Sequence, residues 1–162
     1  MRAQIGYGRT TPPMKLRSIT SDNPIPIYFK IAFLANHFRD PTNRAIENEY
    51  DLTRPEFSIL FCLAQRDKIS AIDVADLTQQ PKNSLSRGAA SLLSKQLITR
   101  QDDGNDGRRK LLSLTTKGKA QYRKILHKLK DADKRLIASL TEVELRQLDR
   151  LLSKMCSAVY DD

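Results

Sequence analysis

Five residues near the start of one amphipathic stretch, Lys82, Asn83, Ser84, Ser86 and Arg87, are the side-chain types that reach base edges and phosphates. Arg and Asn pair with planar base edges, Ser donates or accepts singly, and Lys neutralises phosphate. Further on, Arg108, Arg109 and Lys110 stand consecutively, two places after Asp106. Between Pro81 and Lys110 there are seven basic residues and three acidic ones, so part of the chain's excess charge falls on this stretch. No comparable set serves catalysis. Cys62, Cys156, His37 and His127 do not cluster at metal-ligand spacing, so no metal is expected. A Gly-x-Ser-x-Gly elbow, a phosphate-binding Walker loop, a His-Glu-x-x-His pair and a dinucleotide fingerprint are all absent from the sequence. The expectation is a protein that is not an enzyme and carries no cofactor.

These polar residues need elements to hold them. Ser70 is suited to an N-cap, with Asp73 three places on, and opens a short helix carrying Ile72, Val74, Ala75 and Leu77. Gln80-Pro81 breaks that pattern, and Pro81 suits the first position of a second helix, about Pro81 to Lys95. Its apolar face is Leu85, Ala89, Leu92 and Leu93, which turns the polar set outward. Leu97–Arg100 and Leu111–Thr115 are strand-length runs around a loop rich in Asp, Asn and Gly, a hairpin whose tip ends in the three cations. Thr116 is placed to cap a long helix after it. The order helix, turn, helix, basic hairpin is that of a winged helix-turn-helix.

This order and spacing resemble the MarR family of bacterial transcription regulators. The matching residues are Leu85-Ser86-Arg87, Leu92, Lys95, Arg100, Asp106-Gly107-Arg108 and Leu114-Thr115-Thr116-Lys117-Gly118. The most specific element is Asp-x-Arg followed, eight residues after its Asp, by Leu-Thr-x-x-Gly. The resemblance runs from about Pro26 to the C-terminus and departs at Gln96, where the family usually has Gly. It implies a mainly α fold: a winged helix-turn-helix with a two-stranded β-wing, and N- and C-terminal helices forming a dimerisation lobe. It further implies a homodimer on a palindromic operator in double-stranded DNA, probed by Ser70, Lys82, Asn83, Ser84, Ser86, Arg87, Asp106, Arg108, Arg109 and Lys110. In the family, aromatic or phenolic small molecules bind between the lobes and release the repressor. The corresponding wall positions here are His37, Tyr50, Phe57 and Phe61.

The rest of the chain fits around that motif. Residues 1–23 hold four basic residues and no periodicity, and read as a flexible basic arm. Residues 24–50 read as dimerisation helices, one over Pro26–Arg39 and one over Thr42–Tyr50, or a single kinked helix. Residues 51–118 form the DNA-binding domain, opened by the capping box Thr53-Arg54-Pro55-Glu56. Residues 119–162 supply C-terminal dimerisation helices, the last opened by a second capping box at Thr141–Glu144. In 162 residues, 28 Lys+Arg against 19 Asp+Glu give a net charge of +9, which favours a polyanionic partner. Cys62 and Cys156 both lie in apolar helical patterns and read as buried thiols of a reducing, cytoplasmic protein. No run is long enough to span a membrane, so no membrane partner is expected. Two alternatives stay open: a winged-helix protein-interaction module, and a thiol-based redox-sensing regulator of the same fold.

Overall fold

A computed structural model of the chain describes residues 23–104, 106 and 109–159. The expected basic arm therefore lies, apart from Asn23, outside the described residues. The chain divides into two compact units at Pro41 and Thr42. Helix α1, Pro26–Tyr50, passes through that boundary as one element with Pro41 inside it, where two segments or a kinked one were the alternatives. In the first unit α1 carries a ladder of rings: Phe29 stacks on Phe33 at 6.3 Å and Phe33 on His37 at 5.8 Å.

The second unit holds the rest. Its elements are α2 (Arg54–Gln65), α3 (Ala71–Thr78), α4 (Lys82–Ser94), β1 (Ile98–Asp102), β2 (Lys110–Leu114), α5 (Thr116–Ile137) and α6 (Glu142–Ala158). Side chains close the first turns of α2, α3, α5 and α6. Ser70 Oγ accepts the Asp73 amide at 3.1 Å, while Asp73 accepts the Ser70 amide at 2.8 Å. Thr141 and Glu144 repeat the arrangement at α6, with the Glu144 carboxylate 2.8 Å from the Thr141 amide. At α2 the Glu56 carboxylate receives both the amide and the hydroxyl of Thr53, at 2.7 and 2.8 Å. The cap of α5 is Thr115 and not Thr116: Thr115 Oγ1 accepts the Gly118 amide at 2.9 Å, and Thr116 is already the first helical residue. Pro81 likewise sits one place earlier than expected, as the N-cap of α4.

The core lies where α2, α3, α4 and the start of α5 meet the hairpin. Ile59 and Leu60 of α2, Val74 of α3, Leu85 and Leu92 of α4 and Ile125 of α5 are fully buried. Burying such a side chain contributes about 1.5–3 kcal/mol. Ile46, from the last turns of α1, is buried in the same core. Gly88 lets α4 approach α2 closely, because a Cβ there would stand 3.2 Å from Pro55 Cβ and 3.3 Å from the Glu56 amide nitrogen. The hairpin is antiparallel, with Ile98 opposite Leu114 and Asp102 opposite Lys110. The Leu112 amide donates to Ile69 O at 2.9 Å, which adds a one-residue third strand just before α3.

Three expectations meet different outcomes. Ile72 and Leu77 are on the helix that the sequence assigned them to but face outward, at 54 % exposure each; only Val74 and Ala75 of that set are buried. Cys156 is exposed, because α6 buries none of its residues against the rest of the chain. Cys62 is buried as expected, and burial pushes its thiol pKa up.

Candidate nucleic-acid interface

Helix α4 has two faces with separate duties. Leu85, Gly88, Ala89 and Leu92 face the core, and Lys82, Asn83, Ser86 and Arg87 are exposed on the opposite side. Ser84 is half-buried. The 3.6-residue repeat puts Lys82, Ser86, Asn83 and Arg87 on one arc, so these four share one outward face near the helix N-terminus. Their polar groups meet little competition from the protein: Lys82 is 4.0 Å from Asp76, at the limit of an ion pair between two exposed side chains.

The helix is held at both ends. Before it, Gln79 turns the chain with φ 53°, and Gln80 Nε2 donates to Ser58 Oγ of α2 at 2.7 Å. After it, Gln96 adopts φ 59°, the Gln96 amide donates to Leu93 O at 3.0 Å, and the Leu97 amide to Leu92 O at 3.0 Å. That pair of bonds is a Schellman closure, which ordinarily takes Gly at the left-handed position. Gln96 makes the same turn at a steric cost.

Sequence reasoning missed the anchor behind this face. Glu56, 2 % exposed, does more than cap α2. Its Oε1 accepts Ser91 Oγ at 2.7 Å and stands 2.9 Å from Lys95 Nζ. Lys95 also lies 3.2 Å from the Asp51 carboxylate and donates to the Asp51 carbonyl. Burial raises the Glu56 pKa, but the bonds from Lys95, Ser91 and Thr53 together outweigh it and hold the carboxyl below its ordinary value. The last turn of α4 is thus pinned to the first turn of α2 by a satisfied, charged cluster. The only hint in the sequence was the Glu56 capping-box position.

The wing is tied down in the same way. Arg109 Nη2 stands 2.8 Å from both carboxylate oxygens of Asp73, and Lys110 pairs with Asp102 across the ladder. Asp106 is exposed, and Arg108 lies outside the described residues. Ser70 leaves the set of candidate DNA contacts. It is 4 % exposed and its hydroxyl is committed to the α3 cap. Between α4 and the hairpin lies a cleft of ≈ 190 Å³ lined in part by Ser86, Arg100 and Lys110.

The four residues matched to effector binding fall in different places. His37 belongs to the first unit, on an open groove of α1 with Phe29 and Asn36. In the second unit, Phe57 and Phe61 lie 6.1 Å apart, and Phe61 is 6.4 Å from Tyr122. Tyr50 packs on the core beneath Lys128, whose ammonium is 5.8 Å from the ring.

A model of the MarR family matches residues 50–109, which begins at the end of α1 and runs to the wing cations. The HTH-type transcriptional repressor Rv2887 of Mycobacterium tuberculosis is 30 % identical over 109 residues, covering 65 % of this chain and 76 % of that protein. The chain belongs to the MarR family. The HTH-type transcriptional repressor Mb2911 of Mycobacterium bovis matches to the same extent. Among solved structures, the transcriptional regulator SlyA superposes with a TM-score of 0.74 at 26 % identity, over 84 % of this chain and 95 % of that one. MepR of S. aureus in a DNA complex gives 0.68 at 26 % identity, over 81 % and 96 %. MarR of E. coli with operator DNA gives 0.67 at 26 % identity, over 85 % and 96 %. As a MarR-family protein the chain is a transcription regulator of winged-helix fold, and no described helix is long and apolar enough to cross a membrane.

Proposed function

We propose that this MarR-family regulator is a homodimeric, sequence-specific repressor that reads a near-palindromic operator with α4 in the major groove. The observation that carries the reading is the division of α4 into a buried apolar face and an outward face of Lys82, Asn83, Ser86 and Arg87. Asn83, Ser86 and Arg87 serve base edges and Lys82 serves a phosphate. Arg108, two places before β2 in the sequence, serves the minor groove, where negative potential draws arginine. That a relative 30 % identical to this chain is named as a repressor, and that two structural neighbours were solved on DNA, supports the same reading.

The homodimer rests on apolar surface left uncovered. In α6, Val143, Leu148, Leu151, Leu152 and Met155 are exposed, and in α1 so are Ile27, Tyr28, Ile31 and Leu34. Contiguous patches of this kind are covered in a soluble protein. Sedimentation at micromolar protomer should give a dimer, and deletion of residues 141–162 should give monomers or aggregates; a soluble, dimeric truncation would overturn this.

Release by a small aromatic acid is part of the proposal, with Phe57, Phe61 and Tyr50 as wall residues in the second unit and His37 in the first. Thiol sensing at Cys62 finds no support, since burial raises its pKa and no thiolate is favoured. The test is footprinting on DNA flanking the protein's own gene, with and without aromatic acids. A protected, two-fold symmetric site with half-sites about 10 bp apart is expected. Affinity that does not depend on sequence at any salt concentration would favour the protein-interaction module instead.

A further inference from the structure

Three consecutive cations on a hairpin suggest three contacts to DNA. Arg109 and Lys110 are already engaged. Lys110 faces Asp102, its register partner. Arg109 Nη2 lies 2.8 Å from both oxygens of Asp73, whose Oδ2 also accepts the amide and hydroxyl of Ser70 at 2.8 and 2.9 Å. The carboxylate therefore has three donor groups, and the two side chains are 45 % and 34 % exposed. The backbone of Arg109 is fixed as well. Its amide donates to Asp106 O at 2.8 Å, and its carbonyl accepts the Asp103 amide at 3.0 Å.

The hairpin meets the helix-turn-helix at a second point, the Leu112 amide to Ile69 carbonyl bond of 2.9 Å. Arg109 immediately precedes β2 and is three residues from Leu112, about 10 Å along an extended chain. The Leu112–Ile69 bond and the buried Ile98 and Leu112 hold only the base of the hairpin, about which its outer half can swing. A second anchor some 10 Å along the chain removes that swing. The second anchor lands on Asp73, in the first turn of α3, the helix directly before α4. Were Arg109 to turn to a phosphate, it would leave a carboxylate facing a polyanion with one partner fewer.

We propose that Asp73 and Arg109 form a brace that sets the angle of the wing against the helix-turn-helix, which makes both of them positioning residues and removes Arg109 from the DNA contacts. The inference rests on the DNA-binding reading above and assigns that site a residue pair outside its contact face. Arg109→Gln and Asp73→Asn then act in the same direction, because each removes the same strut.

The test uses the full-length protein, Asp73→Asn, Arg109→Gln and the double variant. Asn at position 73 keeps an oxygen for the Ser70 amide, so the α3 cap survives, and a urea midpoint checks this. Binding to the footprinted operator duplex is titrated across a salt series, and amide exchange of Asp103 and Leu112 is followed in the free protein. Each single variant is expected to weaken operator binding about three- to tenfold, as for a partly exposed charged pair. The double variant should be no weaker than the worse single one, the salt slope should stay that of the wild type, and exchange at Asp103 should quicken. Tighter binding by Asp73→Asn, or a salt slope shallower by about 1 for each Arg109 replaced in Arg109→Gln, would mean that Arg109 neutralises a phosphate and would overturn the brace. Additive losses, or unchanged exchange at Asp103, would overturn it too. If the wild type binds no duplex selectively, the DNA reading and the positioning role fall together, while exchange in the free protein still reports whether the pair holds the wing.

Discussion

Replacing Gly118 with alanine should be among the most damaging single-methyl additions in this protein. A Cβ at that position would lie 2.0 Å from the Leu97 carbonyl oxygen and 3.0 Å from its carbon. Ordinary contact begins near 3.5 Å, so the two backbones must separate by about 1.5 Å. The Leu97 carbonyl cannot move alone, since it accepts the Thr115 amide at 3.1 Å and the Thr115 hydroxyl at 3.1 Å. The same hydroxyl caps α5 by accepting the Gly118 amide at 2.9 Å. Losing the cap costs about 1 kcal/mol. The two bonds at Leu97 cost about 1 kcal/mol each. With residual strain, the loss should reach about 3–5 kcal/mol. Urea denaturation followed by circular dichroism at fixed protomer concentration measures it, with Gly104→Ala as a control because nothing lies within 4 Å of a Cβ there. Gly88→Ala should fall between the two. Its tightest neighbour would be at 3.2 Å, and alanine's better helix propensity offsets part of the strain. A loss below about 1 kcal/mol for Gly118→Ala would show that the Leu97–Thr115 joint yields freely, and the reasoning from this close approach would be wrong.

Gln96→Gly should stabilise by about 0.5–1 kcal/mol, because the Schellman turn holds a non-glycine residue at φ 59°; an unchanged or lower urea midpoint would count against a strained turn. Glu56 has a lower pKa folded than unfolded, so its contribution is full above the ordinary carboxylate value of about 4.3 and is lost as pH falls through the lower folded value. Glu56→Gln should therefore flatten the acid limb of the stability curve and cost about 2–4 kcal/mol at neutral pH; an acid limb identical to the wild type's would remove Glu56 as its source. Arg87→Ala should cost about 1–3 kcal/mol on the best operator and little on scrambled duplexes, and an equal loss on both would make Arg87 a phosphate contact.

Local signals in the sequence carried much of this fold. Ser70 with Asp73, Thr141 with Glu144, and the apolar repeat Leu85, Ala89, Leu92 each act within a few residues, where capping and helical periodicity operate. Side chains that act over long separations were not legible. Glu56 meets Ser91 and Arg109 meets Asp73 across 35 and 36 residues, and nothing in either segment's periodicity marks the partner. Thr116 was expected as the cap in place of Thr115 for the same reason. Both threonines can cap, and Thr115 is selected by its second bond, to the carbonyls of Gln96 and Leu97. The apolar seam of α6 was legible as a seam, but the burial of Cys156 inferred from it does not hold within one protomer.

That last helix has a consequence for gene dosage. It is 17 residues long, begins with a well-formed cap, and buries none of its side chains in its own protomer. Most of a helix's stability in a protein comes from packing its amphipathic face, which this one lacks within its own chain. On the proposed reading, a lone chain therefore has its DNA-binding unit folded and its last helix poorly held. In the proposed dimer, order in the tail arrives with a second copy. For a pairing equilibrium in which single subunits dominate, doubling the number of chains raises the paired form about fourfold. If the chain pairs as proposed, a seam left bare in this helix converts a linear change in expression into a steeper change in the species able to occupy a two-fold site.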